Sequence, residues 1–305
     1  MDRSYLAEVP PFRPLGGSGL TVSSLAWGMW RFAGDDLSAA RAKIDAALDI
    51  GITLFDTADI YGPDNGEEFG AAEALLGRVF AADRSLRDHM VLATKGGIVM
   101  GVPYDSSPGY VAAAIDASLS RLGVDTIDLW QIHRPDILTH PQEAARALSD
   151  AVASGKVRAI GVSNYTVPQT RALMKFLDGV PLSSTQPELS PLALAPIEDG
   201  TVDLAMQRDL AVLAWSPLGQ GRIGAPADDR SRAVAEALDA QAGKFGVSRT
   251  AAAYSWIMAH PARPIPIVGT QNPARIREAA NAIKVRWTRQ DWYAVLVAAR
   301  GERLP

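Results

Sequence analysis

The sequence predicts an α/β protein, a (β/α)8 TIM barrel with a short N-terminal hairpin and a C-terminal helical segment. Three observations carry the prediction. Eight short apolar runs recur along the chain, most of them unbroken by polar residues, as strands buried on both faces require. Helical patterns of apolar residues fall between them. The length of 305 residues suits one barrel of about 250 residues plus additions.

The elements follow in order. Residues 12–22 read as a small hairpin with Gly17 to Gly19 at its turn. The first barrel strand is Leu25-Ala26-Trp27-Gly28. A helix over 38–50 carries Ile44, Ala47 and Leu48 on one face and stops at Gly51. The second and third strands are Thr53 to Asp56 and Val91 to Lys95. Ser107-Pro108 opens a helix over 108–122, a cap residue before a proline at the first helical position, and Gly123 ends it. Strands at Leu129 to His133 and Ala159 to Ser163 flank a helix over 141–154 that begins at Pro141 and ends at Gly155. A helix over 168–178, ended by Gly179, precedes the sixth strand, Ser183 to Gln186. Val212 to Ser216 and Ile265 to Gly269 complete the eight, with a helix over 249–260 before the last. Residues 285–305, with Trp287, Trp292, Tyr293 and Leu296, read as a helix and tail packed outside the barrel or over its mouth. An open doubly wound sheet would show the same alternation and differ only in strand order. No composition shift marks a linker, which favours one closed barrel over residues 1–305.

Composition narrows the function. A net charge of −4 gives no basic field to recruit nucleic acid or an anionic membrane. With no cysteine, disulfides, thiolate catalysis and cysteine metal sites are excluded. The N-terminus lacks a secretory pattern and no apolar run reaches about 18 residues, so a cytoplasmic protein is expected. His89, His133, His140 and His260 are scattered and suggest no metal site.

Polar residues recur at the ends of the apolar strands: Asp56, Lys95, His133, Ser163 with Asn164, Gln186 and Ser216. In an α/β barrel that end carries the active site. Each residue alone has a plainer reading: Asp56 as a loop cap, Tyr61 as a packed aromatic, His133 as a structural histidine, Arg134-Pro135-Asp136 as a turn. Lys95 is harder to dismiss, because an ammonium ending an apolar strand needs a carboxylate, and Asp56 on the adjacent strand is the natural partner. Together they suit proton transfer from a phenol. Lys95 would lower the Tyr61 pKa from about 10, Asp56 would keep Lys95 charged, and His133 would orient a substrate oxygen that receives the Tyr61 proton.

Phe55-Asp56-Thr57-Ala58-Asp59-Ile60-Tyr61-Gly62, Ala93-Thr94-Lys95-Gly96-Gly97 and Gln131-Ile132-His133-Arg134-Pro135-Asp136 resemble the segments that carry the catalytic Asp, Tyr, Lys and His of the aldo-keto reductases. The resemblance runs from about residue 12 to residue 300. It implies a nicotinamide-dependent reduction of an aldehyde, ketone, quinone or sugar carbonyl, with a small-molecule substrate as the partner. It also implies cofactor contacts. Gly28 and Asp56 are expected at the cofactor. Ser163, Asn164 and Gln186 match residues that bind the nicotinamide carboxamide. Ser216, Pro217, Leu218, Gly219, Gly221 and Arg222 resemble the pyrophosphate loop. Gly269, Thr270, Gln271, Arg275 and Glu278 resemble the segment at the adenosine ribose and its phosphate. Pro273 at a helix start would turn the amides of 270–274 toward an anion. Arg275 favours NADP(H) over NAD(H). No aromatic stands where the family commonly stacks one on the nicotinamide after Gln186; Glu188 and Leu189 are there instead. No Gly-x-Gly-x-x-Gly follows the first strand, which argues against a Rossmann unit.

Trp30 is expected in the substrate pocket with Met29 beside it, above a polar floor of Tyr61 and His133. Residues 98–107 and the segment around Trp287 and Trp292 are expected as further walls. Two other classes fit less well: a cofactor-binding sensor with little turnover, which would not need all four catalytic residues, and an aldolase using Lys95 as a Schiff-base nucleophile, which would need that lysine neutral.

Overall fold

The computed structural model describes residues 4–304. A two-stranded antiparallel ribbon, β1 (Phe12–Pro14) and β2 (Thr21–Ser23), comes first. The barrel strands are β3 (Ala26–Gly28), β4 (Leu54–Asp56), β5 (Val91–Gly96), β6 (Ile127–Ile132), β7 (Val157–Ser163), β8 (Leu182–Gln186), β9 (Ala211–Ala214) and β10 (Ile265–Val268). All pair in parallel, in sequence order, and β10 returns to β3. The barrel is closed, so the open-sheet alternative falls, and every expected strand is present within a few residues of its expected bounds.

Alternation along the strands divides the core into two layers. Ala26, Leu54, Ala93, Leu129, Ala159, Leu213, Ile265 and Ile267 fill the interior. Trp27, Phe55, Leu92, Trp130, Ile160 and Val212 face the surrounding helices. Leu15, Leu20 and Val22 of the hairpin join the interior layer and plug the N-terminal end. Gly16 makes this possible. It has φ +54°, and a Cβ there would fall 2.2 Å from the Ser183 carbonyl oxygen. Apolar residues thus plug the N-terminal end of the interior.

The helices are α1 (Leu37–Leu48), α2 (Ala71–Ala82), α3 (Pro108–Leu122), α4 (Pro141–Ala153), α5 (Val167–Met174), α6 (Ala195–Glu198), α7 (Thr201–Arg208), α8 (Asp229–Phe245), α9 (Arg249–Met258), α10 (Pro273–Glu278) and α11 (Arg289–Arg300). Ser107 caps α3 through the Tyr110 amide, and Gly123 closes it in the left-handed conformation. The sequence carries no start signal for α2 and α7, which begin after Gly70 and Gly200 with no side-chain cap. Nor does apolar periodicity mark α8, whose charged residues leave a narrow apolar stripe.

The C-terminal segment packs outside the barrel, against α8 and α9, and not over the mouth. Trp292 stacks on Trp256 at 4.6 Å and 9°, and each indole N–H donates to the other residue's carbonyl at 3.0 Å. Trp287 Nε1 donates to Ser255 Oγ at 3.0 Å. These bonds fix both rings among the helices, so the expectation that Trp287 and Trp292 wall the pocket is wrong. No described helix is long and apolar enough to cross a membrane.

Candidate active site

Asp56, Lys95, Gln131, Ser163 and Gln186 lie one step further along the strands than the interior residues Leu54, Ala93, Leu129, Gly161 and Ser184. The same alternation that fills the barrel therefore lifts a polar layer onto its C-terminal end. Lys95 is fully buried, and its Nζ donates to Asp56 Oδ2 at 2.6 Å and to the Thr57 carbonyl at 2.7 Å. Asp56 Oδ1 accepts Gln186 Nε2 at 2.9 Å and Gln131 Nε2 at 3.4 Å. Two buried charges are thus paired and their remaining valences filled, the condition under which such a pair is tolerated. Gln131 was read only as part of a strand. Its inward position in a run of buried residues was the available signal.

Tyr61 follows β4 in the loop before α2, and Lys95 Nζ lies 5.1 Å from its ring centroid. His133 follows β6. Its backbone N–H donates to the Gly96 carbonyl at 2.8 Å, and its ring stands edge-on to Tyr61 with centroids 6.0 Å apart at 80°. All four expected catalytic side chains therefore gather at one place.

The electrostatics depart from the sequence expectation at Tyr61. Burial pushes the phenol above 10, outweighing the opposing pull of Lys95. The site therefore holds Tyr61 protonated more firmly than free tyrosine. For Lys95, burial acts against the charge, but Asp56 and Tyr61 prevail and its pKa is raised. A charged lysine cannot attack a carbonyl, which removes the Schiff-base alternative. Burial, then Lys95 and Arg134, hold His133 well below 6.5, so its ring is neutral. Its buried Nδ1 has no partner among the described residues.

Around this centre, Ser163 Oγ donates to the Gln186 carbonyl at 2.8 Å. Asn164, at φ 59°, donates through Nδ2 to the His133 carbonyl at 3.1 Å and to Ser163 Oγ at 2.9 Å. Its Oδ1 accepts the indole N–H of Trp215 at 3.0 Å. Trp215, half-buried at the end of β9, was missed in the sequence as an aromatic for this site. It continues the inward set Ala211 and Leu213, and that parity would have found it. The Arg134 guanidinium lies 6.0 Å from its ring.

The loop after β9 is wound by positive φ at Ser216, Gly219, Gln220 and Gly221. Pro217 is buried, Leu218 packs on the core, and Arg222 Nε returns to the Gly219 carbonyl at 3.3 Å. Gly28 ends β3 under the Gln271 side chain, whose Nε2 donates to the Gly28 carbonyl at 2.9 Å. The Thr270 carbonyl accepts Trp27 Nε1 at 3.1 Å, and Gly269 faces open space.

Two expectations at α10 change. Asn272 Oδ1 already accepts the amides of Ala274 and Arg275, at 2.9 and 3.3 Å, so those N–H groups are not turned outward. Glu278 accepts the Ser248 hydroxyl, which turns it toward α9. Arg275 itself is exposed, with no carboxylate partner among the described residues.

Trp30 stands on the rim, 46% exposed, and is no core residue. Its Nε1 donates to Asp64 Oδ2 at 2.9 Å, and Arg31 lies 5.0 Å over its ring. Met29, expected beside it, is fully buried in the core. Asp136 accepts the Ser106 amide at 3.0 Å and the Thr139 hydroxyl at 2.5 Å. It thereby ties the loop of residues 98–107 to the one after β6. No group of three or more acidic or histidine side chains gathers among the described residues as a metal site would require.

The closed barrel and this cluster at its C-terminal end meet a matching result from comparison. The sequence model of the aldo/keto reductase family covers residues 24–296, and the chain belongs to that family of oxidoreductases. It is 61% identical over 304 residues to the 6-dehydroglucose reductase of Novosphingobium aromaticivorans, covering 99% of this chain and 100% of that one. It is 38% identical to the 6-dehydroglucose reductase of Agrobacterium fabrum, over 93% of this chain and 97% of that one. The L-glyceraldehyde 3-phosphate reductase of Escherichia coli O157:H7 is 31% identical, over 89% and 87%. Among solved structures, a thermostable aldo-keto reductase in complex with the inhibitor epalrestat shares the fold. The TM-score is 0.79 at 21% identity, over 94% of this chain and 99% of that one.

Proposed function

We propose that this chain reduces the aldehyde of a small polyhydroxylated substrate, 6-dehydroglucose first among them, to the alcohol with NADPH. One observation carries the reading: the Tyr61 phenol stands beside Lys95, which is buried and paired with Asp56, and beside the His133 imidazole. That set delivers a proton to a carbonyl oxygen and steadies the charge that develops on it. The names of the two 6-dehydroglucose reductases support the substrate, as do the polar groups Arg31, Asp64 and Arg134 at the rim.

The residues present fit a nicotinamide dinucleotide. Gln271 Oε1 is a buried acceptor without a partner, and Gly221 and Gly269 leave their backbones open to close approach. Ser163, Asn164 and Gln186 would hold the carboxamide, and Trp215 would give the ring an apolar face. The loop of residues 216–222 would hold the pyrophosphate, and Arg275 would meet the 2′-phosphate. When bound, the cofactor supplies the hydride. Asp56 keeps Lys95 charged and in place. Lys95 favours the phenolate that remains after Tyr61 gives up its proton. His133, uncharged, donates a hydrogen bond that orients the carbonyl oxygen.

The test is to follow nicotinamide absorbance with NADPH, and separately NADH, on 6-dehydroglucose and a panel of aldehydes, ketones and quinones. Oxidation of NADPH by 6-dehydroglucose, lost in Tyr61→Phe, is the expected result. Cofactor binding with no turnover on any carbonyl would overturn the reading.

A further inference from the structure

Among the described residues, three acidic side chains are buried at or beside the tetrad, and two of them are paired with cations. Asp56 is closed by Lys95 at 2.6 Å. Glu73, on α2 and fully buried, is closed by Arg121 of α3 at 2.7 Å, and its other oxygen accepts the Thr94 hydroxyl at 2.5 Å. The third is Asp59, 1% exposed, three residues after Asp56 and two before Tyr61. Its backbone N–H donates to the Lys95 carbonyl at 2.9 Å, which pins this loop to β5. Its side chain lies against the outer side of β5, close enough that a Cβ at Gly96 would meet Oδ2 at 2.9 Å. The Tyr110 ring and the Ile60 backbone stand close by. Oδ1 is buried with no partner.

We propose that Asp59 is a positioning residue of the reductase site: it holds a proton at neutral pH, and its ionisation sets the upper pH limit of reduction. The inference rests on the reading of Tyr61 as the proton donor. A third carboxylate, without a cation of its own and with one oxygen unsolvated, is the member of this set that most cheaply takes a proton. Burial first, then Glu73, push its carboxyl up to about 8, against the opposing Arg121, Ile60 amide and Lys95. The groups facing it are Glu73 on α2, Arg121 and Tyr110 on α3, Lys95 on β5 and Tyr61 on its own loop. Neutral Asp59 leaves the Lys95 charge to Asp56 and Tyr61. Once ionised, it adds a negative charge that binds the Tyr61 proton more tightly. The phenol becomes a weaker acid and reduction slows.

The test is the pH profile of kcat/KM with NADPH and a small hydroxyaldehyde, in the wild-type protein, Asp59→Asn and Glu73→Gln. Wild-type activity is expected to fall through about pH 8. Asp59→Asn cannot ionise, so its fall should move up by about one pH unit or more. Glu73→Gln removes a neighbouring negative charge and frees Arg121, so its fall should move down. A role confined to packing would lower stability and leave the profile in place. An unshifted fall in a folded Asp59→Asn protein overturns the proposal. Infrared difference spectra between neutral and alkaline pH supply a readout without turnover: a protonated-carboxyl C=O band, present in wild type and in Tyr61→Phe and lost in Asp59→Asn. Absence of that band in wild type also overturns it. If the band behaves as expected and Tyr61→Phe remains active, the reading of Tyr61 fails, and with it the link from Asp59 to catalysis.

Discussion

The ammonium of Lys95 and the carboxylate of Asp56 meet at 2.6 Å with at most 3% of either side chain exposed. A pair so placed is held by mutual compensation, and removing one member strands the other. Lys95→Met should therefore lose stability as well as activity. Breaking a buried pair from one side costs about 3–5 kcal/mol, readable as a lower urea midpoint. An inactive Lys95→Met protein of undiminished stability would mean that Asp56 finds another partner or a proton.

Tyr61→Phe separates chemistry from binding. The ring stays and only the hydroxyl leaves, so kcat should drop by about 100-fold or more with NADPH affinity little changed. Stopped-flow turnover and a fluorescence titration of the cofactor check the two halves. His133 belongs to the same test. Burial, Lys95 and Arg134 hold it below 6.5, so its imidazole should remain neutral as pH falls through that value. Nitrogen chemical shifts of the ring showing protonation at its ordinary pKa would remove it as a neutral hydrogen-bond donor.

The barrel was legible because its strands are apolar on both faces and end in polar residues; Ala159 to Ser163 shows both traits in one run. The tetrad was legible because Asp56, Tyr61, Lys95 and His133 occur in specific local motifs. Trp215 was not, because it lies far along the chain from Gln186, and only inward parity from Ala211 and Leu213 places its ring beside Asn164. The Tyr61 pKa was misjudged because a sequence shows the neighbouring charge of Lys95 but not the depth of burial. Asn272 capping its own helix and Trp292 stacking on Trp256 depend on side-chain directions that spacing does not encode.

The proposed preference for NADPH turns on Arg275. Exposed at the start of α10 and without a carboxylate partner among the described residues, it is free to meet a 2′-phosphate. A charged hydrogen bond is worth about 1.5–3 kcal/mol. Arg275→Ala should accordingly weaken NADPH by about 10- to 100-fold and NADH far less. Equal losses for both dinucleotides, measured by calorimetry, would place Arg275 on the adenine or on a shared phosphate.

Asp59 also leaves a mark on stability that needs no substrate. Its folded pKa is raised from 3.8 to about 8, so the folded protein holds this proton across a range where the unfolded chain has released it. The sign follows from linkage: stability contributed by that proton is complete below 3.8 and is lost as pH climbs to about 8. Asp59→Asn holds no titrating proton there. The stability of Asp59→Asn relative to wild type should therefore rise steadily from about pH 4 to about pH 8 and then level off. Melting temperatures of both proteins across that range read the difference directly. A constant offset would mean that Asp59 is ionised in the folded protein well below neutral pH, with a cation or a solvated oxygen supporting its charge.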